Sequence, residues 1–177
     1  AIMNDMYAKD ISKKIKSVKR DKQRKGQFIG GKPMYGYKMH PTEKNKIVVD
    51  EEVAPVVRRI FAMALEGISC RQIAVRLNEE NIPTPATYAG LNLGTRGAYS
   101  GLWSSERISE MLRNETYIGH MVQGRTVKIS YKSKKCLMQP PESWVVVKNT
   151  HEPLIDEETF RKVQMLVSSR KHTRSRT

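Results

Sequence analysis

Lysines and arginines are the residues whose types and spacing could do chemistry in this 177-residue chain. Residues 1–38 hold eleven of them (Lys9, Lys13, Lys14, Lys16, Lys19, Arg20, Lys22, Arg24, Lys25, Lys32 and Lys38) against Asp5, Asp10 and Asp21. That is +8 of the chain's net +14, concentrated in about a fifth of its length. Charge gathered this way attracts a polyanion, and a basic rod followed by a slim strip suits a nucleic-acid duplex. A solvated helix face is the alternative for any charge run. The strip is KGQFIGGKP, in which Lys25, Gln27, Phe28, Gly30, Gly31 and Lys32 can lie in a minor groove, where only narrow cationic segments fit. Gly26, Gly30 and Gly31 allow close approach, and Phe28 or Ile29 can pack against sugars; an ordinary interdomain hinge would have the same composition. Lys22 and Arg24 before the strip, and Arg125, Lys128 and Lys132 in GRTVKISYKSKK, are expected at phosphates, with a solubilising loop as the alternative for the latter.

Catalytic constellations are absent from the pattern. There is no glycine-rich phosphate loop ahead of Lys-Ser/Thr, no carboxylate cluster with metal spacing, and no nucleophile paired with a base and an orienting group. Cys70 and Cys136 lie too far apart to suggest a disulfide framework or a cysteine zinc site, and Cys70 reads as packing. His40, His120, His151 and His172 lack ligand spacing. No metal, cofactor or small-molecule substrate is therefore expected. No apolar run reaches 18 residues and no secretory pattern is present, so no membrane partner is expected and a reducing cytoplasm fits.

The elements that must position the basic groups can be read from periodicity. Met3, Tyr7, Ile11, Ile15 and Val18 recur at three and four, which predicts a helix over about 4–25 with a narrow apolar stripe on a cationic rod. YGYKM and KIVV around HPTEKN predict a hairpin. Asp50 is expected to cap a helix to about Glu66, with Val53, Val56, Val57, Ile60, Phe61, Ala64 and Leu65 inward. Ser69 and Gln72 form a capping box for a further helix burying Ile73, Ala74 and Leu77, with Asn81 as its left-handed stop. Residues 86–101 read as a long loop. A short helix capped by Ser104 follows, with Ile108, Met111 and Leu112 beside Trp103 in the core. Alternation in YIGHMVQGRTVKISYK and SWVVVKN suggests strands, and Asp156 caps a last helix burying Phe160, Val163, Leu166 and Val167. The class is α+β: a mainly helical domain with a small antiparallel sheet, preceded by a long basic helix.

Two short helices after a longer one make a helix-turn-helix-like unit, whose last helix would enter the major groove. Arg71, Arg96, Ser104, Ser105, Arg107, Ser109 and Arg113 are the candidates around it, with arginine suited to guanine or phosphate and serine to either. Many small helical domains expose such residues. A stand-alone helix-turn-helix regulator or an RNA-binding protein would use the same features.

YAKDISKKIKSVKRDKQRKGQFIGGKPMYGYK, IVVDEEVAPVVRRIFAMALEGISCRQIAVRLNEENIPTP, WSSERISEMLRNETYIGHMVQGR and PLIDEETFRKVQ together resemble the large serine recombinases of the resolvase/invertase superfamily, found in phage integrases and conjugative-transposon recombinases. The resemblance covers nearly the whole chain. In that family a catalytic domain carries the serine that attacks DNA, a long helix leads to the recombinase domain, and a zinc ribbon follows. The resemblance thus implies that residues 1–25 are the end of the long helix, 26–34 the linker, 35–170 the recombinase domain and 171–177 a basic tail toward a zinc ribbon. Neither the catalytic serine with its arginine-rich pocket nor the four zinc cysteines has a match here. The implied role is binding of double-stranded DNA at an attachment half-site without cutting it. The parent would be a site-specific recombinase of integration and excision, self-associating through its other parts and working at the bacterial nucleoid.

Overall fold

A computed structural model describes residues 2–90, 101–129, 133 and 135–174. Helix α1 (Ile2–Arg24) leads into the strap of residues 25–34. Then come β1 (Tyr37–Met39), β2 (Ile47–Val49), α2 (Ala54–Leu65), α3 (Cys70–Glu79), the single turn α4 (Pro85–Tyr88) and α5 (Ser105–Leu112). Strands β3 (Met121–Gln123), β4 (Thr126–Lys128), β5 (Cys136–Met138) and β6 (Val145–Val147) precede α6 (Glu157–Arg174). The class is α+β, and among the described residues its antiparallel pairing is divided among three two-stranded ladders. Tyr37 faces Val49 in β1–β2, Met121 faces Val147 in β3–β6, and Thr126 faces Met138 in β4–β5.

Helices α2, α3, α5 and α6 enclose the core because each buries one stripe. Val57, Ile60 and Phe61 of α2 meet Ile73 and Leu77 of α3, Ile108 and Leu112 of α5, and Val163 of α6, all with no exposed surface. Burial of each such side chain contributes about 1.5–3 kcal/mol. Tyr117, fully buried, donates to the Tyr35 carbonyl at 3.0 Å, so its hydroxyl is not left unpaired in the interior. Gly36 sits at φ 97°, and a Cβ there would lie 2.7 Å from Leu154 Cδ1, so only glycine fits the turn that brings β1 onto the core.

The expected caps hold at α3, α5 and α6. Ser69 and Gln72 form the reciprocal capping box, Ser104 Oγ accepts from Arg107 N, and Asp156 Oδ1 accepts from Thr159 N at 2.8 Å. Asn81 takes φ 55° after α3. Asp50 is a correction: only its carbonyl meets the start of α2, accepting from Ala54 N at 2.8 Å. Its carboxylate is drawn instead to the Tyr88 hydroxyl at 2.9 Å and to Lys38 Nζ at 3.5 Å. Leu65 is a second correction, since it stands exposed while Met63 takes the inward place on α2. Part of the expected long loop is helical, with Thr84 capping α4; residues 91–100 of it lie outside the described residues.

Candidate nucleic-acid interface

Helix α1 presents its basic side chains to solvent along its length, and Tyr7, Ile11, Ile15 and Val18 are exposed as well. It meets the body at β6. Lys14, Ile15, Val18, Lys19 and Lys22 face Ile29 and Asn45 across an open groove. Lys22 is half-buried there, its Nζ 3.4 Å from Asn45 Oδ1, while Arg24 and Lys25 are exposed.

The strap is tied down, which its composition does not suggest. Asn45 engages both backbone groups of Phe28: its carbonyl accepts from Phe28 N at 2.7 Å, and its side-chain amide donates to Phe28 O at 2.8 Å. Gln123 engages the residues on either side, accepting from Ile29 N at 3.2 Å and donating to Gln27 O at 2.8 Å. The two amides thus act on successive residues of the strap as neighbouring strands would. Phe28 is half-buried and packs against the core, which leaves only part of its ring to meet a sugar. Gly26 turns the chain out of α1 at φ 69°, and a Cβ there would lie 2.5 Å from Thr150 Cγ2. Beyond the clamps Gly30, Gly31 and Lys32 are exposed, with Lys32 Nζ donating to the Ala89 carbonyl at 3.1 Å. The candidate groove residues therefore divide. Lys25, Gly30, Gly31 and Lys32 face solvent, while Gln27 and Phe28 serve the attachment.

Around the helical unit, α3 packs against α2 and α5, as the helix-turn-helix-like layout requires. Arg71 on α3 and Arg113 at the end of α5 are exposed. Ser104 is occupied as a cap, and Ser105 Oγ donates to Glu106 Oε1 at 2.9 Å. Ser105, Arg107 and Ser109 are half-buried, so Glu106, Glu110 and Arg113 dominate the exposed face of α5. The Glu106 carboxyl is held below its usual range by its own backbone N–H, then by the Ser105 and Ser104 hydroxyls. Arg96 and Lys132 lie outside the described residues.

The β4–β5 ribbon exposes Lys128 together with Val127, Ile129, Leu137 and Met138. At its root lies Arg125, one of the residues expected at a phosphate. It is half-buried, its guanidinium carbon 4.9 Å from the centre of the Trp144 ring. Sequence reasoning missed Asn45, Gln123 and Trp144. Asn45 left a faint signal as a turn-prone residue in a polar loop, where it adopts φ 64°. A glutamine in a strand gives none. Among the described residues no group of three or more histidine, cysteine or acidic side chains could hold a metal.

A family model described as Recombinase matches residues 51–170, well over half of the chain. Among solved structures the chain is similar to one described as a crystal structure of an LSR–DNA complex, at 23% identity and a TM-score of 0.54, covering 88% of this chain and 38% of that one. It is also similar to a structure from work on the sequence requirements of the Listeria innocua prophage attP site, at 24% identity and a TM-score of 0.53, covering 88% of this chain and 51% of that one. At these identities the likeness is one of fold, and the chain spans about half or less of either relative.

Proposed function

The chain belongs to the Recombinase family, and from that premise we propose that it is the part of a site-specific serine recombinase that binds double-stranded DNA at one attachment half-site. The parent enzyme would carry out integration or excision with a catalytic domain outside these residues, in the cytoplasm at the nucleoid, and would assemble through its other parts. One observation carries the reading: a basic rod is joined to a compact body by a strap whose backbone is clamped, leaving Gly30, Gly31 and Lys32 outward.

Each part does what its chemistry allows. The rod and Lys25 neutralise phosphates and release counterions, which gives affinity without sequence preference. The strap follows the minor groove, where glycine backbone approaches closely and lysine meets the concentrated negative potential. Arg113 and Arg71, exposed on the helical unit, read the adjacent major groove, where arginine discriminates guanine. Because the strap holds its path before DNA arrives, less ordering entropy is lost on binding.

The test is a footprint of the purified chain on duplexes carrying a candidate attachment site. Protection of one half-site with minor-groove protection beside it is the expected result. Equal affinity for structured RNA would favour the alternative of an RNA-binding protein, and protection without a defined footprint would remove the claim of site recognition.

A further inference from the structure

Arg125 is a cation with no ionic partner among the described residues. Among the described residues its buried Nε has no hydrogen-bond acceptor, and none of the ion pairs between them includes it. Covering part of a guanidinium while leaving a donor unpaired is costly, and stacking on an aromatic face returns only part of that cost. The arrangement is nevertheless braced. Gln139 N donates to the Arg125 carbonyl at 2.8 Å, and the Trp144 indole donates to the Gln139 carbonyl at 2.9 Å. One residue therefore fixes both the backbone of the arginine and the ring beneath it.

The surroundings say what the arginine awaits. Residues 120–139 contain five lysines or arginines and no acid. Gly124, next in the chain, lies against Gln23 near the end of α1, and Gln123 before it holds the strap. Arg125 thus follows directly on residues that meet the rod and the strap, and its planar fork matches a phosphate with two parallel N–H···O bonds. We propose that Arg125 is a preset seat for one backbone phosphate of the bound nucleic acid, and that Trp144 is the positioning residue that holds its fork toward that phosphate. The proposal rests on the duplex-binding reading and adds to the phosphate-binding machinery a residue, Trp144, that carries no charge.

The experiment measures affinity of the full chain for one duplex across a salt series. Arg125→Gln is expected to weaken binding about five- to tenfold near 0.1 M salt and to lower the salt slope by about 1. Trp144→Leu should lower the slope by nearly the same amount although it removes no charge, Trp144→Phe should retain most of it, and the double variant should add little to either single change. A Trp144→Leu protein that melts lower yet keeps the wild-type slope would make the stacking purely structural and overturn the proposal. Should that variant not fold, emission of Trp144 in a Trp103→Phe background gives a second measurement. Quenching on addition of duplex supports the seat, and unchanged emission at saturation overturns it. A wild-type chain that ignores duplexes at low salt refutes the duplex reading and the seat together, whereas wild-type binding with unaltered variant slopes refutes the seat alone.

Discussion

Lys32 lies on the strap and Arg113 ends α5, and the roles proposed for them predict different losses. Neutralising Lys25 and Lys32 to glutamine should weaken binding to every duplex alike and lower the salt slope by up to about 1 for each phosphate left without its lysine. Arg113→Ala should instead change preference between sites, by about 1–3 kcal/mol where the bond to guanine is bidentate. Competition between two duplexes over a salt series separates the two, and a uniform loss for Arg113→Ala would assign it to phosphate. A pH effect belongs to His151, whose Nε2 lies 2.8 Å from the Thr116 carbonyl and Nδ1 2.8 Å from Thr150 Oγ1. Burial holds its pKa below the ordinary 6.5, the Thr116 bond opposes that, and nearby His120 adds to it. A folded-state value below the unfolded one means the neutral ring is favoured by folding. Its stabilisation is therefore complete above about pH 6.5 and is lost as pH falls toward the folded value. Thermal melts should drop as pH falls below about 6.5, and His151→Gln should flatten the dependence there. Residues that cap helices were legible beforehand because capping acts within three positions, as at Ser69, Ser104 and Asp156. Asn45 and Gln123 were not, since each acts on a segment brought near only by folding, 17 and 94 positions away.

The strap is the element whose behaviour departs most from its composition. Glycines and a terminal proline read as a slack connector, yet the segment is bonded from two sides and roofed by Phe28 on the core. Periodicity cannot report this, because the bonds use backbone groups that every sequence carries. The long helices were legible for the opposite reason: their apolar spacing is written in side chains, and α1, α2, α3 and α6 begin and end within a few residues of expectation. Asn45→Ala combined with Gln123→Ala removes the side-chain half of the clamp. A net loss of about 0.5–1.5 kcal/mol per bond is expected, local to the strap rather than spread over the core. Limited trypsin digestion should then cut after Lys25, which Gly26 follows, faster than in the wild type while the body melts almost unchanged. DNA affinity should fall as well, because the freed strap must be ordered on binding. Unchanged affinity despite faster cleavage would show that the strap's path does not matter to the duplex.

At the scale of the molecule, the buried core and the densest exposed positive charge reside in different places. The core is closed by α2, α3, α5 and α6 with Tyr37 and Tyr117, and residues 6–24 of α1 contribute no buried side chain to it. The rod instead carries Lys9, Lys13, Lys14, Lys16, Lys19 and Arg20, cations with no ion pair among the described residues. Six like charges on one helix repel one another, and a helix with so little tertiary support is marginal by itself. A polyanion relieves that repulsion, so the rod should gain order when DNA binds. Deleting residues 1–20 tests this separation. The remaining chain should unfold cooperatively at nearly the wild-type temperature, since residues 6–20 supply no buried side chain to the core. Its salt slope on duplex DNA should fall by several units, about 0.9 for each phosphate the rod neutralises. Circular dichroism of the intact chain should show helix gained on adding duplex, and the shortened chain should show little. A shortened chain that binds with the full slope would place the phosphate contacts on the body and leave the rod's charge to another partner.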